Sequence, residues 1–134
     1  MVAATLEGNK ILLVDDDRDM IAALIAVLAD SGATIKTAYD GNAAVDIATE
    51  FDPDLVVLDA MLPKRSGFLV LEKLKASAKL HGGRPFVIMI TANEGKRHQT
   101  WAKSLGVDGY MTKPFRMERL VSSMETLLAR NQQE

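Results

Sequence analysis

Short apolar runs alternate with segments of helical periodicity along nearly the whole chain, and this alternation limits the fold more than any other feature. Ile11-Leu12-Leu13-Val14 and Leu55-Val56-Val57-Leu58 are continuous apolar stretches, the mark of strands buried on both faces. Residues 86–90 form a third such run, residues 34–38 a half-polar strand suited to an edge, and Gly109-Tyr110-Met111 a brief fifth strand. Between them, residues 20–28, 43–48, 71–78 and 94–105 read as helices, and residues 117–128 close the series. Ser31-Gly32, Asp52-Pro53 and His81-Gly82-Gly83 punctuate the pattern where helices must stop. The segment 94–105 is the poorest in apolar contacts, offering only Trp101, Ala102 and Leu105.

Five β–α units in strict order imply an α/β fold, with a parallel sheet covered by helices on both faces and joined by right-handed crossovers. At 134 residues there is room for one domain. The expected architecture is a flavodoxin-like doubly wound (βα)5 sandwich with a five-stranded sheet of order 2-1-3-4-5. Composition narrows the chemistry. Sixteen basic against 18 acidic side chains leave a net charge of −2, unlike a domain built to grip nucleic acid. The absence of cysteine excludes disulfides, thiol catalysis and thiolate metal sites, and two histidines cannot form a multi-histidine centre. Apolar runs fall far short of the ~20 residues that span a bilayer, and residues 1–10 lack a signal-peptide pattern. A soluble, cytoplasmic protein without membrane partners is the expectation.

In sheets of this kind, ligands bind beyond the carboxyl ends of the strands, where the strand order reverses. The first strand ends in Asp15-Asp16-Asp17, the third in Asp59, the fourth in Thr91-Ala92, and the fifth runs into Lys113-Pro114. Strands one and three would be neighbours, so Asp15, Asp16 and Asp59 would crowd together, each raising the cost of ionising the next. A hard divalent cation with oxygen ligands would offset that crowding, and Mg²⁺ commonly takes one or two carboxylates together with phosphate oxygens. Lys113 would add a second positive centre and Thr91 a hydroxyl donor. Such a set suits the handling of a phosphoryl group, which is catalysed mainly by positioning and charge neutralisation. A carboxylate can itself be the nucleophile, and Asp59, across from the acidic pair, is placed for that role.

Four motifs, in order and each at a strand end, carry a family resemblance. They are Leu12-Leu13-Val14-Asp15-Asp16-Asp17; Leu58-Asp59-Ala60-Met61-Leu62-Pro63 with Gly67; Ile90-Thr91-Ala92; and Gly109-Tyr110-Met111-Thr112-Lys113-Pro114-Phe115. Over residues 9–130 the chain resembles the receiver domain of bacterial two-component response regulators, leaving 131–134 as a short tail. The resemblance implies that Asp59 is the phosphoacceptor, that Asp15 and Asp16 hold Mg²⁺ with Asp59 and the Met61 backbone carbonyl, and that Lys113 contacts the phosphoryl group. It implies a switch in which Thr91 moves toward the new phosphoryl oxygens and the Tyr110 ring fills the vacated space. It further implies a sensor histidine kinase or histidine phosphotransfer protein as donor, and a downstream protein met through the fourth helix, fifth strand and fifth helix. A cis Lys113–Pro114 bond belongs to the same expectation. So does the absence of enzymatic turnover beyond self-phosphorylation and self-dephosphorylation. No effector segment follows the last helix, so the chain reads as a stand-alone regulator or as a receiver cut from a longer protein.

Plainer readings compete at single positions. Asp17 is better suited to capping the first helix than to binding metal. Tyr110 can be an ordinary half-buried aromatic, and Trp101 either a partner contact or a packed ring. His81, His98, Lys64-Arg65 and Lys96-Arg97-His98 read as solvated surface, and the six internal methionines as core filling. Met61 and Asn93 flank the acceptor and the Thr91 hydroxyl, and an apolar Met61 cannot orient a water by hydrogen bonding, which points to slow self-hydrolysis. Among rival functions, Asp15-x-Asp17 after a strand also resembles the first motif of haloacid-dehalogenase-type phosphatases, a scheme that leaves Asp59 unused. A flavodoxin-like electron carrier would want a phosphate loop where three aspartates stand. A receiver used only as an unphosphorylated docking module is the remaining alternative.

Overall fold

The computed structural model describes residues 6–92 and 95–132, the side chains of 131 and 132 excepted. Asn93 and the start of the 94–105 segment therefore lie outside the described residues, as does most of the 131–134 tail. Five strands, β1 (Lys10–Val14), β2 (Thr34–Ala38), β3 (Leu55–Asp59), β4 (Phe86–Thr91) and β5 (Gly109–Thr112), alternate with five helices. The helices are α1 (Arg18–Leu28), α2 (Gly41–Phe51), α3 (Gly67–Ala78), α4 (Lys96–Ser104) and α5 (Met117–Gln132). The strands are parallel throughout, as the alternation implies, and lie in the expected order β2-β1-β3-β4-β5. The half-polar β2 takes one edge.

Pleating sorts the strand residues between two cores. Ile11, Leu13, Leu55, Val57, Ile88 and Ile90 face α1 and α5, meeting Ile21, Leu24, Leu120 and Met124. Leu12, Val14, Val56, Leu58, Val87 and Met89 face α2, α3 and α4, meeting Ala44, Phe68, Leu71 and Ala102. Burial of each large aliphatic side chain contributes roughly 1.5–3 kcal/mol, so the two layers fix the sheet and with it the strand ends. Leu6, three residues before the resemblance begins, is fully buried in the first layer. Ala102 is the one buried residue of α4, whose docking is correspondingly thin.

Lys113–Pro114 is cis, as the resemblance implied, and Arg84–Pro85 is cis as well. Two expectations about burial need correction. Met61 is exposed, at 61%, because it stands in the loop beyond β3 and not on a strand or helix, so it fills no core. His98 is half-buried beside the Phe68 ring, 5.5 Å between centroids, because α4 turns that side toward α3.

Candidate functional site: an acidic cleft at the carboxyl edge of the sheet

Register places the site. Val14 pairs with Leu58 across β1 and β3, so the residues that follow, Asp15 and Asp59, emerge side by side at the carboxyl edge. Carboxylate oxygens of Asp15, Asp16 and Asp59 lie within 4.8 Å of one another. Asp15 and Asp59 are buried, at 3% and 5% exposure, whereas Asp16 faces solvent. Local hydrogen bonding holds each acid in place. The Asp17 N–H donates to Asp15 Oδ1 at 2.9 Å. Asp17 caps α1 instead of joining the cluster, accepting from the N–H groups of Asp19 and Met20. The Met61 N–H donates to Asp59 Oδ1 at 3.2 Å.

Lys113 reaches into the cluster from the far side of β4. Its N–H donates to the Thr91 carbonyl at 2.8 Å, continuing the strand pairing past Thr112. Its ammonium donates to Asp15 Oδ2 at 3.1 Å and lies 3.7 Å from Asp59 Oδ2. Burial would lower the Lys113 pKa, but the facing charges of Asp59, Asp15 and Asp17 outweigh it and raise the value. The Asp59 value is raised too, which for an acid disfavours the charged form. Loss of hydration, followed by the neighbouring Asp15 charge, pushes its carboxyl up to about 6, against the lesser pull of the Met61 N–H and of Lys113. The cluster brings three carboxylates against one ammonium. The donor set fits a hard divalent cation, which binds through oxygen ligands and would supply the missing positive charge.

The remaining expected residues lie around this centre. Thr91 is buried at 1% exposure at the end of β4, one register step beyond the Asp59–Ile90 pair. The Tyr110 ring packs against the α2–α3–α4 core layer with its hydroxyl buried and without a hydrogen-bond partner. Burial raises its pKa accordingly. The same residue lines a groove of about 570 Å³ on the α4–β5–α5 side, together with Gln99, Phe115, Arg116 and Arg119. Trp101 stacks face to face on Phe68, with centroids 4.3 Å apart and planes 2° from parallel, while remaining 46% exposed. The stack accounts for the packing reading of one ring face, and the other face stays open to solvent.

The β3–α3 loop, from Ala60 to Ser66, carries contacts that sequence reasoning did not anticipate. The Gly67 N–H donates to the Ala60 carbonyl at 2.9 Å and closes the base of the loop, while Ser66 caps α3. At its crown the loop meets the first turn of α2: the Gly41 N–H donates to the Pro63 carbonyl at 3.2 Å, and Lys64 pairs with Asp40 at 3.7 Å. A turn signal at Asp40-Gly41-Asn42 marked the start of α2 but not what it touches, which lies more than twenty residues away.

Comparison with known proteins agrees with this fold. A family model described as the response regulator receiver domain matches residues 11–125. The BeF3-activated DrrB receiver domain is 30% identical, with 90% of this chain and 97% of that chain aligned at a TM-score of 0.76. A CheY-like receiver domain protein from Methanospirillum hungatei superposes with a TM-score of 0.84 at 24% identity, covering 93% of this chain and 97% of that one. The chemotaxis response regulator CheY4 of Vibrio cholerae gives 0.78 at 24% identity, covering 89% and 98%.

Proposed function

The chain belongs to the response regulator receiver domain family and is a phosphorylation-dependent signalling switch; on that premise we propose that Asp59 is its phosphoacceptor and that residues 9–130 form the receiver unit. The observation that carries this is the convergence of three carboxylates from two adjacent strands with the Lys113 ammonium, which touches Asp15 and faces Asp59.

Receiver domains bind Mg²⁺ at an acidic pocket, and here Asp15, Asp16, Asp59 and the Met61 carbonyl would hold it. When bound, the ion supplies the positive charge that phosphoryl transfer needs. The protein's own groups do the rest. A carboxylate oxygen of Asp59 attacks phosphorus and forms the new O–P bond. The N–P bond to a donor imidazole breaks, and its electron pair stays on the ring nitrogen, which solvent then protonates. Lys113 counters the charge on the phosphoryl oxygens, and the Met61 N–H keeps the carboxylate of Asp59 aimed into the cleft. The donor is a histidine kinase or histidine phosphotransfer protein.

The acyl phosphate brings close to two negative charges and new acceptor oxygens beside Thr91. Thr91 turns its hydroxyl toward them and the Tyr110 ring shifts with it. Because Tyr110 also lines the α4–β5–α5 groove, the change reaches a surface that a downstream protein can read. The groove joins an aromatic floor to the guanidinium groups of Arg116 and Arg119, and α4 carries Lys96, Arg97 and Lys103 with no acid. A partner segment with acidic residues around an apolar anchor fits it. No helix among the described residues is long and apolar enough to cross a membrane, and a cytoplasmic site of action accords with the donor chemistry.

Incubation with Mg²⁺ and a small acyl-phosphate donor tests the assignment by intact mass. Wild type gains one phosphoryl unit and Asp59→Asn gains none. An unchanged wild-type mass with both the small donor and phosphorylated histidine donors, or a mass gain retained in Asp59→Asn, contradicts it.

A further inference from the structure

Gly41 is the first residue of α2 and lies outside the acidic cleft, yet the structure leaves no space for a side chain there. A Cβ at this position would stand 2.6 Å from Arg65 Cβ and 2.7 Å from the Arg65 carbonyl carbon, with the Arg65 carbonyl oxygen nearer still. Two of these three atoms are backbone, so no rotamer change relieves the clash. The backbone of Gly41 does not lie in the left-handed region, so conformational freedom is not the reason for glycine. Close approach is. The contact is reinforced by the Gly41 N–H on the Pro63 carbonyl, the Arg65 N–H on the same carbonyl at 2.8 Å, and the Lys64–Asp40 ion pair. Lys64 itself is held at φ 69°, a backbone conformation unusual for a residue with a side chain.

The loop thus seated is the one that leaves Asp59. Its second residue, Met61, supplies the N–H on Asp59 Oδ1. Its base is fixed by Gly67, where a Cβ would meet Ala60 Cα at 2.7 Å. Fixed at one end by Gly67 and at its crown by Gly41, the chain from Ala60 to Ser66 has little freedom to drift from the acceptor.

We infer that Gly41 is a positioning residue for phosphoryl transfer, seating the β3–α3 loop against α2 so that the Met61 backbone is correctly placed at the Asp59 carboxylate. The inference rests on the reading of Asp59 as phosphoacceptor. It opposes what helix propensity alone would give, since Gly→Ala in a helix ordinarily stabilises and would leave the reaction untouched.

The test compares wild type, Gly41→Ala and Asp40→Ala. Fold is followed by circular dichroism and urea midpoint, and phosphorylation rate is measured against both donor and Mg²⁺ concentration. Misplacing a catalytic group by about 1 Å can cost on the order of 10²-fold. A folded Gly41→Ala is therefore expected to lose about that much maximal rate. It is also expected to need more Mg²⁺ for half-maximal rate, with amide resonance shifts concentrated at Met61, Lys64 and Arg65 and absent from β2. A folded Gly41→Ala that reacts at the wild-type rate overturns the inference. Should Gly41→Ala fail to fold, Asp40→Ala, which frees Lys64 and uncaps α2, must still slow transfer; a wild-type rate there overturns it equally. A wild type that takes no phosphoryl group removes the parent reading and this inference with it.

Discussion

Replacing Asp59 by Asn, which removes the charge but keeps the shape, should stabilise the metal-free protein at neutral pH and have little effect in acid. The folded state raises this carboxyl from 3.8 to about 6. A native state that binds a proton more tightly than the unfolded chain loses stability as pH rises. The loss therefore begins near the unfolded value, builds through about 6, and is complete above it. Each pKa unit corresponds to about 1.4 kcal/mol, so two units set a ceiling of about 3 kcal/mol on the cost of ionising Asp59 in the folded protein. Asn keeps an acceptor for the Met61 N–H but gives up the attraction of Lys113, and about 1–2 kcal/mol of net stabilisation is expected once solvent screening is counted. The assay is urea unfolding of both proteins without divalent ions at about pH 4 and about pH 7.5, with equal slopes so that midpoints compare directly. Asn should shift the midpoint upward only at the higher pH. An equal shift at both pH values, or a less stable variant at neutral pH, would refute the reasoning, because either result would mean that Asp59 ionises in the fold at no special cost.

The same electrostatics yields further expectations. Millimolar Mg²⁺ should raise the urea midpoint of wild type, and the gain should shrink in Asp16→Asn, whose exposed carboxylate contributes to the acidic trio; isothermal titration checks the affinity directly. Lys113→Met removes the ammonium between Asp15 and Asp59, and leaving buried charge unpaired should cost on the order of 3 kcal/mol, read by the same denaturation, together with loss of phosphorylation-induced change at Tyr110 followed by NMR. Trp101 is the chain's single tryptophan, and through its stack on Phe68, next to Gly67, its fluorescence should respond to phosphorylation in wild type but not in Asp59→Asn. With the apolar Met61 beside Asp59, an acyl phosphate formed there should decay over minutes or longer, and a lifetime of seconds in an intact-mass time course would count against that view.

The sheet was legible because β1, β3 and β4 are compact apolar runs that two-sided burial leaves no other use for, while the half-polar β2 is suited to an edge. The site was legible for a related reason: Asp15, Asp59, Thr91 and Lys113 stand at or just beyond the carboxyl ends of their strands, so topology alone brings them to one edge. Asp17 was readable as a cap because its role is satisfied within three residues. What escaped was contact between elements far apart in sequence. Lys75 sits on a helix face that looks solvated, yet its ammonium bonds Asp108 at 2.9 Å and the Pro85 carbonyl at 3.2 Å. Asp54 pairs with Arg84 and also accepts the Lys10 N–H at 2.7 Å. Gly41 against Arg65 and Phe68 against Trp101 belong to the same class. Each depends on how closely two helices or loops approach, a quantity set by the sum of side-chain volumes in the layers and not by any local pattern.

The central claim is that phosphate chemistry takes place on one side chain, and chemical trapping addresses it most directly. Borohydride reduces an aspartyl phosphate to homoserine, so protein phosphorylated in Mg²⁺ can be reduced, digested and mapped by peptide sequencing in a mass spectrometer. Homoserine at position 59, and at no other aspartate, is the predicted result. Homoserine at position 15, or a phosphorylated protein that yields none, would contradict the account.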